Sequence, residues 1–149
     1  HFLLPNISLG EKSGSLNPAG RKALEEIVTR RASPSIFAKG ALDLIVESSG
    51  GLVRELVRLV RDAANIALTQ GSNVVTTDMV QAAIAEVRND FLRVLLPRHY
   101  AALRDASKSK QIVPDETVLE LLQNQALLEY RNDVAWCDVH PVVQKLLQT

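Results

Sequence analysis

The chain's 149 residues, 46% hydrophobic and 23% charged, suit one domain or two small ones with an ordinary core and exclude a disordered chain. Seventeen basic and seventeen acidic side chains cancel, which removes any overall electrostatic footprint for nucleic acid or an anionic membrane surface. The balance is uneven, because residues 1–113 carry fifteen basic and eleven acidic groups and residues 114–149 carry two and six, so the C-terminal end is acidic.

A single cysteine, Cys137, excludes an internal disulfide. No apolar run reaches the roughly eighteen residues of a membrane span, and a reducing cytoplasm is the expected setting. His1-Phe2-Leu3-Leu4 is too short an apolar patch for a signal peptide, and a chain opening on His is expected to be a fragment of a longer one. Phe2 to Leu9 carries Pro5 in its middle and suits an edge strand or an extended entry segment. The following Gly10-Glu11-Lys12-Ser13-Gly14-Ser15 is a loop by composition. Its Lys-Ser pair does not make a phosphate-binding P-loop, since Glu11 and Asn6 stand where that motif needs glycines.

Asn17-Pro18 gives a side-chain acceptor followed by proline at the first helical position, predicting a helix to about Arg31 with Ala23, Leu24, Ile27 and Val28 inward. Ser33-Pro34 repeats that signal and predicts a second helix to about Ser48. Gly50-Gly51 then breaks the chain. Beyond it, Leu52, Leu56, Leu59, Val60, Ala63 and Ala67 recur at the spacing of one buried helical face, ending near Gln70-Gly71. Thr76 or Thr77 caps a fourth helix with Val80, Ala83, Ile84, Val87, Phe91 and Leu95 inward. Four helices with short links predict a small bundle.

Pro97 ends or kinks the fourth helix. A further helix runs through Tyr100 and Leu103 to a polar loop at Ser107-Lys108-Ser109-Lys110, and another follows Pro114, with Val118, Leu119, Leu121 and Leu122 apolar. Leu127 to Arg131 and Val134 to Val139 are rich in β-formers and flank Asn132-Asp133, a pair suited to a tight hairpin turn. A last helix begins near His140-Pro141. Helix, helix, hairpin, helix at this size predicts a winged-helix module with the hairpin as its wing.

The third helix also carries Arg54, Arg58 and Arg61 at i, i+4 and i+7, a basic row with Arg54 in the first turn. Two readings stand. The row is a solvated face with Glu55 and Asp62 as ion-pair partners, or Arg54 is placed to reach an anion.

A four-helix bundle whose third helix opens with Gly50-Gly51-Leu52-Val53-Arg54, followed by Val74-Val75-Thr76-Thr77-Asp78-Met79-Val80, resembles the lid of an AAA+ ATPase. The resemblance is closest to the branch of the origin-recognition ATPases and the related bacterial signalling and defence NTPases. Leu127 to Pro141 resembles the wing and last helix that follow the lid in bacterial members of that branch. The likeness implies a mainly α chain, a four-helix AAA+ lid bundle followed by a winged-helix module with a small β-hairpin. It divides the chain into an extended entry segment over 1–16, the end of an ATPase core absent from this chain, a lid over 17–87 and a winged helix over 88–149. It assigns Arg54 the sensor 2 role of reaching the γ-phosphate of ATP, with Gly50 and Gly51 as the lid-helix start. ATP and Mg would be bound mainly by the missing core, because no P-loop and no strand ending in paired acids is present, so no catalytic residue is expected and the fragment alone should not hydrolyse ATP. Arg58 and Arg61 match no family position.

His1, His99 and His140 lie far apart and Cys137 has no second ligand pair at zinc spacing, so no metal site is expected. His140 is expected to cap or pack at the start of the last helix. Tyr130 and Trp136 would either form a partner-binding patch on the wing or close the small module's core. Two rival functions differ in class. Against a DNA-binding winged helix stand Asp115, Glu116 and Glu120 on the candidate recognition helix and Glu129, Asp133 and Asp138 on the wing, all of them like-charged with phosphate; Arg88, Arg93, Arg98, Arg104, Lys108 and Lys110 leave another face for it. The other rival is an interaction module without a nucleotide role. The expected partners are the upstream core and a protein docked on the winged helix, with no membrane.

Overall fold

The computed structural model describes residues 6–10, 17–131 and 134–148. Among these the chain is mainly helical with one small antiparallel sheet. The order is α1 (Pro18–Thr29), a short 3-10 turn (Pro34–Ile36), α2 (Ala41–Ser48), α3 (Val53–Thr69), α4 (Thr77–Val94), α5 (Pro97–Ser109), α6 (Glu116–Gln123), β1 (Leu127–Arg131), β2 (Ala135–Val139) and α7 (Pro141–Leu146).

The long helix α3 is the spine of the bundle. Leu56, Leu59, Ala63 and Ala67 are buried along one stripe of it and meet the stripe Val80, Ala83, Ile84, Val87 and Phe91 of α4. The 3.6-residue period places these side chains on one face, and each fully buried leucine contributes about 2 kcal/mol relative to exposure. Helix α1 covers α2 and α3 through Leu24 and Val28. Its start is as expected, with the Asn17 side chain accepting from the Gly20 N–H and Pro18 at the first helical position. Thr76, rather than Thr77, caps α4 by accepting from the Met79 N–H.

The second helix differs from its expectation. Ser33-Pro34 starts only the 3-10 turn, because Phe37 and Ala38 leave the helical path to pair with Val75, the Ala38 N–H donating to Val75 O at 2.9 Å and the Val75 N–H to Ile36 O at 2.7 Å. Helix α2 begins afresh at Ala41, entered through Gly40 in the left-handed conformation (φ +83°). The expected loop at 107–110 is likewise too long, since α5 runs to Ser109 and stops at left-handed Lys110.

Pro97 ends α4 rather than kinking it: Leu95 and Leu96 are extended and Pro97 opens α5. Position 87 lies inside unbroken α4, so the break nearest the expected 87/88 boundary falls at Leu95-Leu96. Helices α5 and α6 pack on the two strands, and α7 packs back onto α4 and α2. In the hairpin Leu127 pairs with Val139 and Arg131 with Ala135. The expected turn at Asn132-Asp133 lies outside the described residues, as do most of the entry segment and the Lys12-Ser13 pair. The described part of that segment, residues 6–9, forms no named strand, although the Ile7 N–H donates to Gly51 O at 2.9 Å.

Candidate functional site

The turn that opens α3 is where three parts of the chain converge. Gly50 and Gly51 both have positive φ, +66° and +86°. A Cβ on Gly51 would collide with the carbonyl of Ile7, and one on Gly50 with Leu128 and Pro141, so side chains are excluded by close approach as well as by backbone conformation. The Gly50 carbonyl accepts the Tyr130 hydroxyl, and Leu52 joins Leu128, Tyr130 and Trp136 in a small apolar cluster. Tyr130 and Trp136 are buried and stacked at 4.8 Å between ring centroids. They close the core instead of forming an exposed patch. Burial pushes the Tyr130 hydroxyl pKa upward, so it stays a protonated donor to Gly50.

Arg54 occupies the first turn of α3, whose N-terminus is not capped by any side chain. It is exposed and makes no hydrogen bond or ion pair among the described residues. The rest of the row differs. Arg58 donates to Asp90 on α4 at 2.6 Å and pairs with Asp62 at 3.6 Å, its pKa raised chiefly by the hydrogen bond to Asp90. Arg61, 65% exposed, pairs with Asp62 at 3.2 Å. Asp62 is therefore an ion-pair partner, as the solvated-face reading expects, whereas Glu55 makes no ion pair with the row and acts on Arg58 only by charge at longer range. Glu55 turns inward, its Oε1 is buried without a hydrogen bond among the described residues, and burial raises its carboxyl pKa.

The histidines are helix-start residues. His140 caps α7, with Nδ1 accepting from the Val142 N–H at 3.1 Å and its ring on Phe91 at 5.0 Å. His99 turns Nδ1 onto the Leu96 N–H at 2.9 Å and places Nε2 2.8 Å from Glu120, which also accepts from Arg98 at 2.8 Å. These two donors, His99 first, hold the Glu120 carboxyl below its ordinary pKa. Asp138 is paired with Lys110 at 2.7 Å and Glu129 lies 3.5 Å from Arg131, so part of the acidic charge on α6 and the hairpin is already neutralised. His1 lies outside the described residues. Among those described, no three His, Cys, Asp or Glu side chains lie together as a metal site would require, and no helix is long and apolar enough to cross a membrane.

Sequence reasoning placed Arg54 in the first turn of the third helix, the glycine break before it and His140 at the start of the last helix. It missed Asp90 as the partner of Arg58, Tyr130 as the partner of Gly50 and the inward turn of Glu55. Asp90 and Arg58 are 32 residues apart, and only the crossing of α3 on α4 joins them; no local signal marks the pair.

What the geometry defines is a mainly helical chain, a bundle with a small antiparallel hairpin, with Arg54 at a helix start unpaired among the described residues. No family model matches the chain, and no curated protein matches it. Among solved structures it is similar to the ORC2 protein of Aeropyrum pernix, described in ADPNP and ADP complexes, with 14% identity and a TM-score of 0.42. The match covers 86% of this chain and 46% of that one, so the chain spans about half the length of that protein.

Proposed function

We propose that this chain is the lid bundle and winged-helix module of an AAA+ or related signalling NTPase, non-catalytic by itself, in which Arg54 is the sensor 2 arginine. The observation that carries the reading is the contrast along α3: Arg58 and Arg61 are held by carboxylates, whereas Arg54, one turn earlier, is exposed and unpaired among the described residues. A guanidinium there donates in a planar fork to phosphate oxygens, beside a helix N-terminus whose dipole also favours negative charge. Bound ATP would supply the terminal phosphate for that contact. Arg54 fits one phosphate contact and nothing more, so an upstream core domain would hold most of the nucleotide and the Mg²⁺.

The glycine turn supports the coupling half of the proposal. Gly51 O takes the Ile7 N–H and Gly50 O takes the Tyr130 hydroxyl, so a change in how Arg54 is held reaches the N-terminal segment and the hairpin through one turn. Loss of the γ-phosphate on hydrolysis removes the Arg54 partner and lets lid angle follow nucleotide state. The hairpin and last helix then present that motion to a protein partner, which the acidic surface suits better than it suits duplex DNA.

The test is ATP binding and turnover by the intact parent chain carrying Arg54→Ala, with Arg61→Ala as a matched control and circular dichroism to verify the fold. The expected result is turnover reduced by about a hundredfold to a thousandfold in Arg54→Ala alone, the range for a removed charge-stabilising donor. Equal turnover in the two variants returns Arg54 to the solvated face, and a parent chain without an NTPase core overturns the proposal outright.

A further inference from the structure

A second site lies round α3 from Arg54. Between α3, α4 and the turn joining α6 to β1 is a half-open cleft of about 230 Å3, walled by Leu52, Val87, Phe91 and Val94. Its polar lining is Glu55, Arg58, Asp90, Asn124, Gln125 and His140. Two of these side chains offer buried atoms with no hydrogen-bond partner among the described residues, Glu55 Oε1 and His140 Nε2. His140 is 1% exposed. An unsatisfied buried polar atom costs stability, and two on one cleft point to something that binds there.

The polarity of each atom follows from its neighbours. His140 Nδ1 accepts the Val142 N–H, so the ring proton sits on Nε2 and that atom is a donor. Burial holds the ring neutral, with its pKa pushed down to about 4. Glu55 Oε1 is the acceptor. Arg58 and Asp90 close on each other at 2.6 Å, which leaves neither to dominate an ionic ligand. An anion would meet Glu55, and a cation would meet the His140 N–H and Arg58. The complement of a donor and an acceptor in an apolar-walled cleft is a neutral, flat group that carries an acceptor beside a donor. A primary carboxamide or a lactam edge on a small ring has that form.

We infer that the cleft between α3, α4 and His140 is a binding site for a small neutral molecule of the carboxamide or lactam class, held by the His140 Nε2–H and Glu55 Oε1. This is independent of the nucleotide reading, because Arg54 is not in the cleft and the inference requires no upstream domain.

Nicotinamide is a suitable probe, with N,N-dimethylnicotinamide as a control that keeps the carbonyl and loses the donor. Both are titrated into the whole 149-residue chain and followed by amide and imidazole 15N shifts. The expected result is a saturable shift at His140 Nε2 and at the cleft residues, with a Kd of about a millimolar for so small a ligand. Binding should weaken about tenfold for the dimethyl control. It should weaken at least as much in Glu55→Met, which keeps the volume and removes the acceptor, and in His140→Asn, whose side-chain oxygen can still cap α7. Glu55→Met should melt no lower than wild type, which separates a lost ligand contact from a damaged fold. Absence of saturation at about 20 mM nicotinamide, shifts confined to other surfaces, or equal affinity in wild type and Glu55→Met would each overturn the inference. So would a high-resolution structure in which ordered water satisfies both atoms and nicotinamide fails to displace it.

Discussion

His99 and His140 both serve a helix start, His99 from the third helical position of α5 and His140 as the N-cap of α7, and they end in opposite states. Each lies next to the proline that opens its helix, or two residues beyond it, and each turns Nδ1 onto a main-chain N–H, Leu96 for one and Val142 for the other. Each is almost wholly buried, 3% and 1% exposed. Both rings are therefore fixed in the tautomer that carries its proton on Nε2. At His99 that proton meets Glu120, which Arg98 also holds, and the corner between α5 and α6 is saturated. At His140, which lines the cleft, Nε2 is buried and has no hydrogen-bond partner among the described residues. A histidine at a helix start thus finishes one corner of the fold and leaves the other with an unpartnered Nε2, and the two differ in cap position as well as in the presence of a carboxylate within 3 Å.

The largest test of that contrast is pH. The His140 pKa is lowered to about 4 in the fold by burial, against about 6.5 unfolded. Between those values the unfolded chain binds the extra proton, so the stability contributed by neutral His140 is complete above about pH 6.5 and is lost as pH falls toward 4. The difference corresponds to about 3 kcal/mol. Urea unfolding at pH 7 and pH 4.5 should show most of this loss in wild type and should show it reduced in His140→Asn. Glu55 works in the opposite direction, since its raised pKa makes the fold more favourable as pH falls, and in Glu55→Met the acid loss should be steeper. Equal pH dependence in wild type and His140→Asn would remove His140 as its source.

The smaller counterpart is Glu120→Ala. It leaves the buried His99 Nε2–H without its partner and so converts the finished corner into a copy of the open one. Glu120 is half exposed and water can replace part of what it supplies, so the melting temperature should fall by less than the His140 effect implies. The signature is in the imidazole proton: His99 Nε2–H exchange with solvent should speed up in Glu120→Ala and remain slow in wild type. Unchanged exchange would mean that the pair at 2.8 Å does not hold His99 in solution.

The legible part of this fold was whatever is encoded within a few residues. The 3.6-residue stripes of α3 and α4, the Asn17 and Thr76 caps, the stop at Gly71 and the pairing of Leu127–Arg131 with Ala135–Val139 each follow from short-range chemistry, and the described residues place them accordingly. The long second helix failed because the Ser33-Pro34 start signal was followed by a stretch whose backbone is claimed by Val75, a pairing across 38 residues that no window sees. The site divides in the same way. Position, glycine turn and arginine spacing put Arg54 in the first turn of α3, but only the α3–α4 crossing decides that Arg58 pairs with Asp90 and that Glu55 faces inward unpaired. That His140 caps a helix is a local fact, while what its far nitrogen faces is set by three other elements.

The finest comparison concerns the left-handed residues at the two ends of α5 and α6. Lys110 (φ +58°) and Gln125 (φ +64°) are the only non-glycine residues with positive φ among those described. Lys110 is held there from several sides: its N–H donates to Ala106 O, its carbonyl accepts the Cys137 N–H at 3.0 Å, and its ammonium pairs with Asp138 at 2.7 Å. Gln125 has the Leu122 carbonyl at 3.3 Å and a place on the cleft beside His140. Glycine adopts this conformation without the Cβ penalty, so Gln125→Gly should stabilise the chain by about 1 kcal/mol. Lys110→Gly gains the same backbone relief and loses its ion pair, so its net change should be smaller. Paired urea titrations decide between them. A larger gain at Lys110 than at Gln125 would mean that the Lys110–Asp138 pair contributes nothing and that Gln125 is held by more than its backbone, which would make the corner at His140 the better satisfied of the two.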